Sequence, residues 1–179
     1  MIIILGTPGA GKTTQARLLA EYLKCDWFSM GELIRAKVTG QERKDMLAGK
    51  IISDDVTLGI IDEALSNVNT KGEEVVFEGN PRSIPQAKWW FEQHDKGRFE
   101  IKAVVHLVAS PEVAAQRLVD RGRLDDHDEN VVETRFAEYH RSINPTLEFL
   151  KKNGVKVLQV DADGSIEEEA ASIRKALGI

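Results

Sequence analysis

The segment Gly6-Thr7-Pro8-Gly9-Ala10-Gly11-Lys12-Thr13-Thr14 constrains this chain more than any other. It follows the apolar run Ile2-Ile3-Ile4-Leu5 and opens an amphipathic helical pattern that runs from Gln15 to Leu23. A G-x-x-x-x-G-K-[ST] spacing between a strand and a helix is a phosphate-binding loop. The glycines let backbone N–H groups turn inward around phosphate oxygens. The helix start adds its positive dipole end. Lys12 brings a point charge to the β- and γ-phosphates, and a following hydroxyl can reach Mg²⁺. Gly9, Ala10, Gly11, Lys12, Thr13 and Thr14 are therefore the first candidate ligand contacts, with Thr13 the candidate metal hydroxyl.

Apolar runs and helical patterns alternate through the rest of the chain. Strands are expected at 2–5, 26–29, 73–78, 101–107 and 155–160, each rich in β-branched or aromatic residues and bordered by turn formers. Such alternation implies an α/β domain, a parallel sheet covered on both faces with right-handed crossovers. Ligands then bind beyond the C-terminal strand ends. Between 30 and 69 there is more helix than one crossover needs. Helices are expected at 31–39, 41–49 and 53–67, forming a helical insertion within a single domain of 1–179. Residues 128–152 read as one long helix, bent or broken near Pro145. The last helix, 165–177, opens on Glu167-Glu168-Glu169, which fits solvated charge at a dipole-favoured helix start.

Bulk properties narrow the class. The chain has 179 residues, enough for one sizeable core, and no apolar run of membrane-spanning length. The apolar start is too short for a signal peptide and is already used as a strand. Cys25 is the single cysteine, so neither an internal disulfide nor a cysteine zinc cluster is available. A cytoplasmic location follows as the expectation, with Cys25 as a small buried hydrophobe. A net charge of −5 argues against a dedicated nucleic-acid binder but suits an anionic small ligand if the basic residues gather in one cleft.

Two further clusters speak to chemistry. Glu78-Gly79-Asn80-Pro81-Arg82 ends the third strand. Glu78 is placed to hold Mg²⁺ through water, or is a strand-end surface charge. Arg82 can clamp a phosphate bidentately, or make a surface ion pair. Gln86, one helical turn on, offers an amide that suits a base edge. The second cluster is Arg117, Arg121, Arg123 and Arg135 around one turn. It reads as a phosphoryl-transfer clamp, or as a turn laced with Arg–Asp pairs.

Taken in order, GTPGAGKTTQ, FSMGELIR, AGKIISDDVTLGIIDEAL, EGNPRSIPQA, RLVDRGRLDD and RFAEYH resemble the nucleoside monophosphate kinases, and most closely the adenylate kinases. The resemblance covers nearly the whole chain. It implies a three-layer P-loop NTPase fold with sheet order 2-3-1-4-5, and transfer of the γ-phosphoryl of ATP to AMP with Mg²⁺. It implies that the phosphate loop holds ATP, that Arg117 lies over the ATP adenine, and that Arg82, Arg121, Arg123 and Arg135 surround the phosphates. Met30, Gly31, Arg35, Ile51, Ile52, Thr57, Gly79, Arg82, Gln86, Arg123 and Arg135 would form the AMP side, although Ile51, Ile52 and Thr57 also fit plain core. Residues 121–127 would be a very short lid without zinc, and a monomer is implied. The chain departs from the family pattern at Thr13, Met30, Thr57, Glu78 and Asn80. Those departures leave a UMP- or CMP-preferring kinase and a nucleotide-binding regulator without turnover as alternatives. A kinase for a sugar-like alcohol would need a base near the hydroxyl. His94, His106, His127 and His140 are scattered, and none stands out as that base.

Overall fold

The computed structural model describes residues 1–66, 68, 70, 73–121 and 128–179. Strands β1 (Ile2–Gly6), β2 (Asp26–Ser29), β3 (Val75–Glu78), β4 (Ala103–Val108) and β5 (Val157–Asp161) form one parallel sheet in the expected order, β2-β3-β1-β4-β5. The last three strands each begin two residues later than the apolar pattern suggests. Glu74 is drawn out of the ladder by the N-terminal amine at 2.7 Å and by Lys102. Ile101 and Val155 are buried, but they pack into the core ahead of their strands.

Residue alternation divides each strand between two apolar cores. Ile3, Leu5, Phe77 and Val104 face one core, with Trp90 of α5 (Ile84–Asp95) and Leu147 and Leu150 of α7 (Glu129–Lys152). Ile2, Ile4, Val76, Val105 and Leu107 face the other, with Ala16 and Leu19 of α1 (Lys12–Leu23) and Ile173 of α8 (Ile166–Leu177). Trp90 is fully buried and stands edge-on to Phe77 at 5.0 Å, a contact worth about 1 kcal/mol beyond its area. This packing fixes the sheet's C-terminal edge, where the phosphate loop leaves β1.

The expected helical insertion corresponds to three helices between β2 and β3: α2 (Met30–Lys37), α3 (Gly40–Leu47) and α4 (Asp54–Ser66). Asn67 and Asn69, at its expected end, lie outside the described residues, as do residues 122–127 after α6 (Pro111–Arg121). Helix α7 runs unbroken through Pro145. The proline removes one ladder N–H, while the hydroxyls of Ser142 and Thr146 bond back to Glu138 and Ser142 carbonyls.

Two sequence expectations need correction. Glu169 is not solvated: it is 2 % exposed, because its place on α8 turns it toward Arg117 and Gln15. Glu168 closes a capping box with Ser165, a device worth about 1 kcal/mol. Cys25 is half-buried rather than buried, at the edge of the second core.

His106 on β4 is buried and shares a 2.7 Å hydrogen bond with the Tyr139 hydroxyl of α7. Burial, then Lys12 and Lys151, pull its imidazole down to about 4. The unfolded chain, with an ordinary imidazole, binds more protons between that value and about 6.5. The stability contributed by neutral His106 is therefore complete above about pH 6.5 and is lost as pH falls toward 4. Urea midpoints followed by tryptophan fluorescence are expected to fall across that interval, and less steeply in H106Q. Parallel curves for the two proteins would contradict this assignment.

Candidate functional site

The phosphate loop is pinned from below. Thr7 N–H donates to the Leu107 carbonyl at 3.1 Å, and Ala109 N–H donates to Thr7 Oγ1 at 3.2 Å. Gly9 has φ +82°, and a Cβ there would stand 2.4 Å from the Ala114 carbonyl oxygen. Only glycine fits both the angle and the space. Gly11 caps α1 in a left-handed conformation, so the free N–H groups of the first turn face the cleft. Ala10 is fully buried beneath the loop and is the one described loop candidate whose side chain does not line the cavity.

Lys12 Nζ lies across its own loop, donating to the carbonyls of Gly6 at 3.0 Å and Thr7 at 2.7 Å. Desolvation pulls its ammonium down to about 7, Glu78 opposes the shift, and Arg82, Arg121 and Arg135 add to it. Polyphosphate would stabilise the charged form and raise this pKa. ATP binding near pH 7.5 is therefore expected to take up protons, and affinity should weaken as pH rises above about 7. Calorimetry in buffers of different ionisation enthalpy measures this uptake; proton release would contradict it.

Glu78, at the end of β3, is 4 % exposed and so is not a surface charge. Its Oε1 accepts hydrogen bonds from Thr13 Oγ1 at 3.0 Å and from Ser29 Oγ. A carboxylate and a hydroxyl beside Lys12 form a hard oxygen donor set of the kind that Mg²⁺ takes together with water and phosphate.

On the other side of the cavity stands Arg82, whose Nε donates to the Gly79 carbonyl at 2.7 Å. Desolvation deep in the cleft lowers its pKa, Glu78 opposes that, and Arg35 adds to it. Arg35 reaches over Gly31, where a Cβ would meet its Nη1 at 3.3 Å. Met30, Ile51, Ile52 and Thr57 close this end, and Thr57 is 2 % exposed with its hydroxyl toward the Ile52 carbonyl. Gln86 is buried in the lining of the cavity; its amide oxygen accepts from Asn80 and from Arg82 N–H, and its nitrogen donates to Asp54.

Arg123 and the rest of the expected lid after Arg121, residues 122–127, lie outside the described residues. Arg117 donates to the carbonyls of Ala162 and Gly164 and to Glu169 Oε1, each at 2.8 Å. These bonds hold the guanidinium by its edge, the geometry that leaves its faces for stacking. Arg121 ends α6, and Arg135 lies in the second turn of α7; both line the cavity. Gly49, in the turn between α3 and α4, lies against α7: a Cβ there would be 2.7 Å from the Val131 carbonyl and 3.2 Å from Arg135 Cγ. The insertion thus rests on the helix that carries Arg135.

All these surfaces open into one cavity of about 590 Å³, lined at one end by the loop and Arg117 and at the other by Arg35, Thr57 and Gln86. A model of the adenylate kinase family matches residues 4–155. An adenylate kinase of Mycobacterium tuberculosis is 37% identical over 183 residues, covering 99% of this chain and 98% of its own. Those of Mycobacterium ulcerans and Corynebacterium glutamicum are 38% and 33% identical with the same coverage. The chain belongs to the adenylate kinase family. Beyond the residues expected from that family, the cleft includes Gln15, Tyr139 and Glu169, and Asp54 stands behind Gln86. Gln15 donates to the Ile166 carbonyl and to Glu169 Oε2, both at 3.0 Å. Its position one turn into α1, directly above the loop, was the signal available in the sequence. Nothing local marked Asp54 or Glu169, each an acid in the first turn of its helix.

Proposed function

We propose that this chain transfers the γ-phosphoryl group of ATP to AMP, giving two ADP. One observation carries the reading: the phosphate loop and the Arg35–Arg82–Gln86 pocket open into a single cavity, with Arg82 near enough to lower the pKa of Lys12. Two nucleotides entering from opposite ends would meet phosphate to phosphate at Lys12. The AMP phosphate is already a nucleophile, so the reaction needs positioning and charge neutralisation rather than a general base.

In this reading Gly9–Thr14 hold the ATP phosphates and Lys12 neutralises the transferred group. Arg117 covers the ATP base, while Arg35 and Arg82 hold the AMP phosphate. Arg121, Arg123 and Arg135 enclose the junction. Thr13 and Glu78 would hold Mg²⁺ through water, and the ion would neutralise charge on the phosphate oxygens. Closure of helical elements over the substrates, for which adenylate kinases are themselves a known example, would exclude water. The Gly49 contact with α7 supports such a closing surface. A monomer working in the cytoplasm belongs to the same reading; the single Cys25 thiol fits a reducing compartment. No helix among the described residues is long and apolar enough to cross a membrane.

Coupled assays of ADP formation from Mg·ATP with AMP, UMP, CMP and GMP test the reading. AMP is expected to give the highest kcat/KM by at least tenfold. A preference for UMP or CMP, with AMP poor, would overturn the acceptor; ATP binding without turnover of any acceptor would overturn the reaction.

A further inference from the structure

Asn80 stands at the turn between β3 and α5 and is 1 % exposed. It links the core to the acceptor pocket through an ordered chain of hydrogen bonds. Trp90 Nε1 donates to Asn80 Oδ1 at 2.6 Å. Asn80 Nδ2 donates to Gln86 Oε1 at 2.6 Å, and the same oxygen accepts from Arg82 N–H at 2.8 Å. Gln86 Nε2 donates to Asp54 Oδ1 at 2.8 Å, where Ser83 Oγ also donates at 2.7 Å.

The direction of this chain is determined at both ends. An indole N–H and a backbone N–H only donate; a carboxylate only accepts. Neither amide can flip without setting donor against donor or acceptor against acceptor. The Gln86 carbonyl has two lone pairs, and both are taken. Its nitrogen has two hydrogens, and Asp54 takes one. A glutamine facing a base ordinarily offers both a donor and an acceptor; this one has a single N–H left.

We propose that Asn80 is a specificity-determining positioning residue: by saturating the Gln86 carbonyl, it makes Gln86 meet the acceptor base as a hydrogen-bond donor only. The inference rests on the monophosphate-kinase reading above. The base must then present a ring acceptor to Gln86, and Gln86 does not read an exocyclic amine. Asp54 belongs to α4 of the insertion, so the same chain ties the amide's orientation to the element that covers the acceptor.

Steady-state kinetics with Mg·ATP, using AMP and its analogue lacking the 6-amino group (purine riboside 5′-monophosphate), test this on wild type, N80A and Q86A. Because N80A orphans the Trp90 N–H, the double variant N80L/W90F, which replaces both partners with apolar groups, is measured beside it. Wild type is expected to use the two acceptors within about threefold in kcat/KM. Both Asn80 variants should raise KM for the acceptor lacking the amine about tenfold and for AMP less, because the freed Gln86 carbonyl can then accept from the amine, and should leave KM for ATP within about twofold, a split that general loosening of the fold would not produce. A preference for AMP of tenfold or more in wild type that disappears in Q86A would overturn the proposal, since Gln86 would then be accepting from the amine. If such a preference survives in Q86A, the amine is read elsewhere and the proposal stands. Unchanged acceptor KM in both Asn80 variants, or equal rises in acceptor and ATP KM, would also overturn it. Should wild type take UMP or CMP and not AMP, the AMP assignment fails, while the Asn80 variants are scored in the same way on that nucleotide. Should it take none, the kinase reading and this inference fall together.

Discussion

Replacing Lys12 with Met is expected to lower kcat by about three orders of magnitude while leaving the fold at least as stable. The two effects have one physical origin. Lys12 sits where desolvation and three arginines disfavour its charge, with Glu78 alone among its named influences opposing them. Holding a cation there costs stability in full below about pH 7, where Lys12 is charged, and the cost fades as pH rises from about 7 toward the ordinary lysine value of 10.5. Met keeps the length of the stem and discards the charge. Thermal melts at pH 6 should therefore show a Tm equal to or above that of the wild type. Single-turnover assays should show phosphoryl transfer almost abolished. A K12M enzyme within tenfold of wild-type kcat would remove Lys12 from the chemistry.

The second large effect is expected at Arg82. R82A should lower kcat/KM for AMP about a thousandfold, with KM for ATP nearly unchanged. The guanidinium is aimed by its Nε bond to the Gly79 carbonyl, which leaves the terminal nitrogens for a phosphate. R82K should recover little, because an ammonium cannot hold the Gly79 bond and a phosphate in the same fork. A loss below tenfold in R82A, or full recovery in R82K, would show that Arg82 acts as bulk charge rather than as an oriented clamp.

The phosphate loop, the strands and the run of helices between β2 and β3 were legible because each leaves a local trace, whereas the strand order came only with the family resemblance. The loop has its spacing, the strands their apolar runs, and the insertion an excess of helical pattern before Val75. Strand starts were less legible. Ile101 and Val155 are apolar and buried, and sequence alone does not separate core packing from ladder pairing. The acids were hardest. Glu78, Asp54 and Glu169 look alike as single letters at element ends, yet each is committed to a partner remote in sequence: Thr13, Gln86 and Arg117 respectively. Gln86 lines the cavity, but its hydrogen-bond valence depends on Asn80 and Asp54, and only the folded geometry brings these together.

In the proposed reaction one cleft holds two nucleotides with their phosphates facing across Lys12. Titration with a bisubstrate analogue, two adenosines joined through a chain of phosphates, tests it most directly. A single tight equivalent per chain is expected, displacing both ATP and AMP and weakened by R82A as well as by K12M. Displacement of ATP with AMP binding untouched, or two equivalents bound per chain, would contradict it.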